Sequence, residues 1–460
     1  MKKYEAVIGL ELHIQLATNS KLFSSSVNKF GASPNTYINE IDLGSPGALP
    51  VLNKKAVEFA VLFGYAINAQ INPNAVFMRK NYFYPDLPKG YQLSQLDDAI
   101  IQGGEVKLEM SGFTRVVRVN RGQLEEDAGK SVHDAFSDRT GIDLNRAGVP
   151  LIELVTEPDI RSAKEAVAFM RYIHHLVRYL NISDGNMQEG SFRCDANVSI
   201  REKGSNHFNE RVELKNINSF RFVEQAINIE IARQSELMAQ GKKIEQETRL
   251  FDSQLLETRT MRTKEEANDY RYFPDPDLLP LELDSDWLMM LKDSLPELPN
   301  QRAQRYEHDY ALDTETINYL LQEKQLADYF DEVVGEIDDA KLAANWLQGE
   351  FARLLNDEGV GVDQTRISPS EFSKLLNSLQ KNTISAANAK KALSIMWHEQ
   401  REVNDIIQEE GMQQINDDAQ LEQWINEVVI DNPEQVQAYK NGQEKNVGLF
   451  CWAGSEKIKR

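Results

Sequence analysis

The sequence contains very little cysteine, since Cys194 and Cys451 are the only two among 460 residues. Two thiols cannot form a disulfide framework or a four-thiolate zinc site, and so small a number is typical of a reducing compartment. We expect neither cysteine to act as a nucleophile. A fold held together by disulfide bonds is therefore excluded.

Long apolar runs are also missing. No segment approaches the ~18–20 consecutive apolar residues that a membrane-spanning helix needs. The first residues, from Met1 to Glu5, lead directly into a strand-like run, which leaves no room for a signal or transit peptide. We therefore expect a cytoplasmic protein without a membrane partner.

Positive charge is in deficit, because 51 Lys and Arg residues face 72 Asp and Glu residues, giving a formal net charge of −21. Proteins that bind nucleic acid generally need clustered Lys and Arg to contact phosphates. Any contact with RNA must therefore be local. A content of 41% hydrophobic and 27% charged residues is that of an ordinary folded protein, and the length allows two to four domains.

The pattern of the chain predicts an α+β body followed by helices. Up to Leu283 short alternating runs mix with strong helical segments, one of which starts with a capping box formed by Ser162 and Glu165. After Pro296 and Pro299, helix-period patterns dominate. We predict domains at 1–293, 294–405 and 406–460.

Two predicted strands carry polar side chains on one face. In the first strand Ile8, Leu10, Leu12, Ile14 and Leu16 alternate with Gly9, Glu11, His13 and Gln15. In the strand at 194–200, Asp195, Asn197 and Ser199 alternate with apolar residues. On this alternation alone, a half-solvated antiparallel sheet is the favoured explanation.

The position of Glu153 favours a catalytic or metal-binding site over a polar sheet face that is simply exposed to solvent. It lies within an apolar run at 151–155, where an unpaired carboxylate would be costly unless a cation met it. Glu11, His13, Glu126 and Glu153 together offer carboxylate oxygens and one imidazole, which suits Mg²⁺ or Mn²⁺ better than zinc. Spacing alone makes this a weak signal, because the four residues are scattered.

Seven sequence blocks resemble the B-subunit family of tRNA-dependent amidotransferases and occur in that family's order. They are IGLELH at 8–13, RKNYFYPD at 79–86, EEDAGK at 125–130, DLNRAGVPLIE at 143–153, QEGSFRCD at 188–195, KNINSFR at 215–221 and DYRYFP at 269–274. The helical remainder resembles the family more loosely to about residue 448. The chain is identified as a member on these blocks.

The resemblance implies a cradle domain similar to glutamine synthetase and the guanidino kinases, then an all-α helical domain and a small YqeY-like, tRNA-binding tail domain. It also implies ATP as a substrate and Mg²⁺, or Mn²⁺, held by Glu11, His13, Glu126 and Glu153, with Asp195 as a less certain member. Lys80 and Tyr82 match residues near the mouth of an ammonia tunnel, and with Glu126 they are the candidate catalytic residues. Lys80 could instead be a plain surface cation. The ATP-contacting residues stay open.

The implied reaction is the conversion of Glu-tRNA(Gln), Asp-tRNA(Asn) or both into Gln-tRNA(Gln) and Asn-tRNA(Asn), a carbon–nitrogen ligase activity. The resemblance implies ammonia from a partner amidase, the A subunit, because this sequence has no Ser-Ser-Lys amidase triad. The small C subunit would complete the heterotrimer. One alternative is a non-catalytic tRNA-binding subunit, and another is a free-standing ligase of the glutamine synthetase type.

The sequence departs from the family at two places. Many members carry two cysteine pairs that bind structural zinc, and the matching residues here are Ser24, Ser26, Asn39 and Asp42, so we expect no structural zinc. The sequence after 448 lacks the family's final helices. We therefore expect an incomplete tail domain that is partly mobile and binds tRNA less tightly.

Overall fold

A computed structural model describes residues 4–133, 138–263, 270–414 and 418–440 and divides into two compact units, Met1–Arg302 and Ala303–Arg460. The first unit is rich in strands and the second is helical, which confirms the α+β body followed by helices. The three domain boundaries given above stay predictions. No helix in the described ranges is long and apolar enough to cross a membrane.

The first unit is built on one large twisted sheet with helices on its apolar face. Its helices are α1 (Lys54–Ala66), α2 (Ala163–Tyr179), α3 (Phe220–Ala239) and α4 (Ser285–Asp293), and α5 (Pro299–Tyr310) crosses the division between the units. Its strands are β1 (Tyr4–Gln15), β2 (Gln70–Ile71), β3 (Asn74–Ala75), β4 (Met78–Asn81), β5 (Tyr91–Ser94), β6 (Ile101–Gln102), β7 (Glu105–Met110), β8 (Phe113–Glu126), β9 (Lys130–Val132), β10 (Gly141–Asp143), β11 (Pro150–Thr156), β12 (Phe192–Glu202), β13 (Val212–Ile217), β14 (Glu247–Asp252), β15 (Glu257–Thr263), β16 (Phe273–Pro274) and β17 (Leu281–Glu282).

The large sheet places the first strand near its centre. The strand order is β15-β14-β13-β12-β1-β11-β8-β6-β2, with β7 paired to β8, and the pairs are antiparallel except for β13 with β14. The parallel pair is joined through α3, the crossover helix that such a pair requires. Three small sheets, β10-β9, β16-β4-β5 and β17-β3, accompany it.

The two faces of β1 differ as the alternation predicted. Leu10, Leu12 and Ile14 are fully buried and share one hydrophobic core with Phe169 of α2 and Val223 of α3. The side chains between them point to the opposite, polar face. The α2 helix starts as predicted, because the Ser162 side chain accepts a hydrogen bond from the Glu165 amide.

The second unit is a helical assembly around aromatic residues. Its core contains Phe351, Phe372 and Trp397, with ring centroids 5.2 Å apart for the two phenylalanines and 6.1 Å apart for Phe351 and Trp397. Its helices are α6 (Thr314–Leu320), α7 (Lys324–Val334), α8 (Ala340–Trp346), α9 (Ala352–Glu358), α10 (Pro369–Gln380), α11 (Ala386–Glu399), α12 (Val403–Glu409), α13 (Asp418–Asp431) and α14 (Pro433–Lys440). Cys451 and the part of the tail at 441–460 lie outside the described residues, so the predicted mobility of the tail stays a prediction.

Candidate active site

The backbone register of three central strands brings four of the predicted residues together. On β1, Glu11 lies directly opposite Asp195 of β12, and His13 lies directly opposite Glu153 of β11. Directly paired residues point to the same face of an antiparallel sheet. Glu11, His13, Glu153 and Asp195 therefore share the polar face, and we call them the acidic cluster.

The distances within the acidic cluster are short enough for one ligand to contact several members. The His13 Nε2 atom lies 3.3 Å from a Glu153 oxygen and 3.6 Å from a Glu11 oxygen. Ligand atoms of Glu11, His13 and Asp195 all lie within 4.8 Å of one another. Three carboxylates and one imidazole are a donor set that fits Mg²⁺ or Mn²⁺.

The pKa values of Glu11 and Glu153 in the acidic cluster are shifted in opposite directions. Burial, together with the nearby charge of Glu153, raises the pKa of Glu11 to about 7. Burial would also raise the pKa of Glu153, but the hydrogen bond and charge of His13 outweigh it and lower the value to about 2. Burial would lower the pKa of His13, yet Glu153 and Glu11 raise it overall. Glu11 thus holds its proton more readily than a free carboxyl group, and Glu153 releases its proton more readily.

Glu126 lies apart from the acidic cluster. Its side chain pairs with the Lys89 ammonium and accepts a hydrogen bond of 2.9 Å from the Leu93 amide. The preceding residue, Glu125, is the one whose position on β8 matches the polar face, because Glu125 pairs with Leu151, two residues from Glu153. The structure therefore brings Glu125 towards the site. Alternation places two consecutive acids on opposite faces of a strand. Which of them faces the site is known only when the register is known.

Lys80 and Tyr82 form one flank of the site. The Lys80 ammonium lies 3.4 Å from a Glu125 oxygen and 5.4 Å from the centre of the Tyr270 ring. Tyr82 donates a hydrogen bond to Gln92, and its ring meets Tyr270 edge-on at 6.0 Å. Burial would lower the pKa of Lys80, but the charge of Glu125 raises it overall. Lys80 is thus a half-buried lysine whose charged form is favoured by Glu125. Asp269, the first residue of the last matched block, lies outside the described residues.

Two basic residues beside the acidic cluster were missed by the sequence reasoning. Lys215 of β13 lies 2.6 Å from Asp195 and 3.1 Å from Glu213. Arg193 lies opposite His13 and donates a hydrogen bond of 2.7 Å to Asp127. Their positions alternate with apolar residues on strands, which is the signal that could have identified them.

The four residues expected at the family's cysteine positions, Ser24, Ser26, Asn39 and Asp42, also lie together. Asp42 accepts hydrogen bonds from the Ser24 hydroxyl at 2.8 Å, the Ser26 hydroxyl at 2.6 Å and the Asn39 backbone N–H at 3.0 Å. The fully buried ammonium of Lys21 lies 3.2 Å from the same carboxylate. We call these five residues the Asp42 node. Side-chain hydrogen bonds and one buried ion pair hold this loop.

Comparison with known proteins identifies the family of this chain. Residues 6–289 match the family model described as the GatB/GatE catalytic domain, and residues 328–452 match the one described as the GatB domain. The chain is 63% identical over 449 residues to the B subunit of the aspartyl/glutamyl-tRNA(Asn/Gln) amidotransferase of Dichelobacter nodosus, covering 97% of this chain and 94% of that protein. It is 51% identical to the protein of the same name from Alkalilimnicola ehrlichii, with 97% and 94% covered, and 52% identical to that from Pseudomonas putida, with 97% and 93% covered. This chain belongs to the family of aspartyl/glutamyl-tRNA(Asn/Gln) amidotransferase B subunits.

Proposed function

We propose that this chain is the component that amidates Glu-tRNA(Gln), Asp-tRNA(Asn) or both, using ATP. The observation that carries the proposal is the acidic cluster, whose Glu11, His13 and Asp195 ligand atoms lie within 4.8 Å of one another. Such a concentration of carboxylates would repel the phosphates of RNA or ATP unless a cation intervened. A merely RNA-docking surface is therefore disfavoured.

The chemistry follows from the weakness of a carboxylate as an electrophile. An oxygen of the glutamate or aspartate side chain attacks the terminal phosphorus of ATP, and ADP leaves, so that an acyl phosphate forms. Ammonia then attacks the acyl carbon, the amide bond forms, and inorganic phosphate leaves with the former carboxylate oxygen. Mg²⁺ or Mn²⁺, when bound, neutralises the phosphate charge that develops in the first step.

The roles proposed for the site residues follow from their charges. Glu11, His13, Glu153 and Asp195 are proposed to hold the metal, and the role assigned to Glu126 from the sequence stays a prediction. Lys80 is proposed to act as a positive charge beside the reacting carboxyl group, because neighbouring acids raise its pKa and favour its protonated form. Lys80 and Tyr82 are also proposed to lie where ammonia arrives.

The proposed partners follow from what this sequence does not supply. Glutamine hydrolysis is assigned to a partner amidase, the A subunit, and the small C subunit would complete a cytoplasmic heterotrimer with ligase activity. The cradle fold of the glutamine synthetase and guanidino kinase type is proposed for the first unit. Mischarged tRNA is the proposed acceptor substrate.

The decisive experiment is reconstitution of the trimer with both mischarged tRNAs. ATP-dependent formation of Gln-tRNA(Gln) or Asn-tRNA(Asn) is expected, and Glu11→Ala should remove it, whereas Glu236→Ala on the exposed surface of α3 should not. Activity that survives Glu11→Ala would support the tRNA-docking alternative. Amidation of free glutamate by the isolated chain would instead support a free-standing ligase.

A further inference from the structure

Lys215 contacts two carboxylates beside the acidic cluster. Its ammonium lies 2.6 Å from an Asp195 oxygen and 3.1 Å from a Glu213 oxygen. Asp195 belongs to the acidic cluster, whereas Glu213 stands outside it, two residues before Lys215 on β13. One cation is therefore shared between a proposed metal ligand and a neighbouring acid that has no role in the proposed reaction.

A β-bulge on β13 directs Lys215 towards Asp195. Where β12 runs through residues 194–196, the paired strand β13 runs through residues 214–217 and so contains one extra residue. The backbone of Asn216 lies in the left-handed region, with a φ of 65°. Bulges change the direction of side chains, and a residue other than glycine keeps such a φ only where its surroundings hold it. The contact of Lys215 with Asp195 is therefore built into the sheet.

Glu213 is held in place from its other side. The Thr248 hydroxyl of β14 donates a hydrogen bond of 2.7 Å to one Glu213 oxygen, and the other oxygen is the one near Lys215. Thr248 is buried and is the direct partner of Glu213 in the parallel pair of β13 with β14. Glu213 can therefore accept the ammonium without moving itself.

A divalent cation bound at Asp195 would be repelled by the Lys215 ammonium. The two side chains are only 18% and 30% exposed, so solvent screens this repulsion incompletely. Both cations would also compete for the oxygens of Asp195. The lysine stem is flexible, and a small shift of the ammonium from Asp195 to Glu213 would relieve the repulsion while keeping the ammonium paired.

We infer that Lys215 neutralises Asp195 in the metal-free protein and moves to Glu213 when Mg²⁺ or Mn²⁺ binds. Glu213 is then a positioning residue, because it acts on the metal through Lys215. The inference rests on the proposed metal-binding role of the acidic cluster and adds an internal cation that competes with the metal. Such a competitor weakens metal binding and keeps the metal exchangeable.

Titration of the reconstituted trimer with Mn²⁺, followed by the EPR signal of the free ion, tests the inference. The binding that is lost in Glu11→Ala defines the ion at the acidic cluster. Lys215→Met should lower its Kd about fivefold or more, because the competing ammonium is gone. Glu213→Gln should raise the Kd about threefold to tenfold, because the ammonium loses its second carboxylate. Lys107→Met and Glu105→Gln are the matched controls, since this exposed ion pair has the same spacing on β7, and both should leave the Kd unchanged.

A double variant separates positioning from a direct effect of charge. In a chain that carries Lys215→Met, Glu213→Gln should change the Kd by less than about twofold, because its effect passes through the ammonium. A full further rise would mean that Glu213 acts on the ion directly, which would overturn the inference. Lys215→Arg keeps the positive charge and should bind Mn²⁺ about as the wild type does. A Kd as low as that of Lys215→Met would equally overturn the inference.

Glu213→Gln guards against misfolding of Lys215→Met, because glutamine has the size of glutamate. An unchanged or lower Kd in Glu213→Gln would overturn the inference by itself. So would a higher Kd in a Lys215→Met chain that still unfolds in one cooperative transition. Equal Mn²⁺ binding by the wild type and Glu11→Ala would instead overturn the metal assignment within the proposed function.

Discussion

The acidic cluster and the Asp42 node are both groups of buried or partly buried polar residues in the first unit, but their charges are balanced differently. In the node, one carboxylate receives four donors, one of which is the buried ammonium of Lys21. In the cluster, three carboxylates share one imidazole and the ammonium of Lys215. A carboxylate with a full set of donors stabilises a loop, whereas surplus carboxylates need a ligand from outside.

The largest expected effect is on catalysis at the cluster. His13→Ala or Glu11→Ala should lower the rate of ATP-dependent amidation by about 10²- to 10³-fold, or ~3–4 kcal/mol of barrier, because a metal ligand is lost. The rate is measured in the trimer with mischarged tRNA, and glutamine hydrolysis by the partner serves as the control and should be unaffected. Retention of more than about a tenth of the wild-type rate, less than ~1.4 kcal/mol of barrier, would contradict the metal assignment.

The next effect is on stability at the node. Asp42→Ala leaves the Lys21 ammonium buried without its carboxylate, which should cost about 3–5 kcal/mol of unfolding free energy. Thermal unfolding of the trimer measures this loss, while kcat below the melting temperature should stay near the wild-type value. The double variant Lys21→Met with Asp42→Ala should recover part of the stability, since it removes the unpaired charge. A loss of kcat without a loss of stability would mean that the node takes part in the reaction.

A smaller effect distinguishes the roles of the adjacent residues Glu125 and Glu126. Glu125→Gln should lower kcat about tenfold, or ~1.4 kcal/mol, because Lys80 loses its acidic partner on the polar face. Glu126→Gln should leave kcat within about twofold and lower the melting temperature, because only the Lys89 pair is weakened. Steady-state kinetics of both variants give kcat, and thermal unfolding gives their melting temperatures. The reverse order of kcat values would support the role that the sequence assigned to Glu126.

The smallest effect is the pH dependence of stability at the cluster. Because burial raises the pKa of Glu11 from 4.5 to about 7, the folded protein binds an extra proton between those two values. The ionised, crowded carboxylate carries a cost in stability that is fully present above pH 7 and disappears as pH falls towards 4.5. In EDTA, the melting temperature at pH 6 should therefore exceed that at pH 8 by roughly 2 °C. Glu11→Gln should flatten this dependence, and an unchanged slope in that variant would assign the titration to another group.

Much of the site could be predicted because strand alternation is a local property. The period-2 pattern of β1 placed Glu11 and His13 on the face opposite Leu10 and Leu12, and the structure has them there. The same pattern placed Asp195 on the polar face of its strand. A side-chain period of two needs no knowledge of the partner strand.

The other features of the site depend on contacts between segments that are far apart in the sequence, which no local sequence pattern encodes. Which of Glu125 and Glu126 faces the site is decided by the register of β8 against β11. The contact between Lys215 and Asp195 requires β13 to lie beside β12 with an irregularity in register after Cys194. The pairing of Lys21 with Asp42 joins residues across a loop, where no periodicity applies.

The central position of β1 has a consequence for biosynthesis. This strand is translated first, yet its two neighbours are β11 and β12, at Pro150–Thr156 and Phe192–Glu202. On the nascent chain β1 must therefore stay unpaired, and its apolar face uncovered, until both neighbouring strands have been translated. Pairings between strands so far apart in the sequence have a high contact order and form slowly. The acidic cluster can therefore assemble only after β12, which ends at Glu202, has left the ribosome.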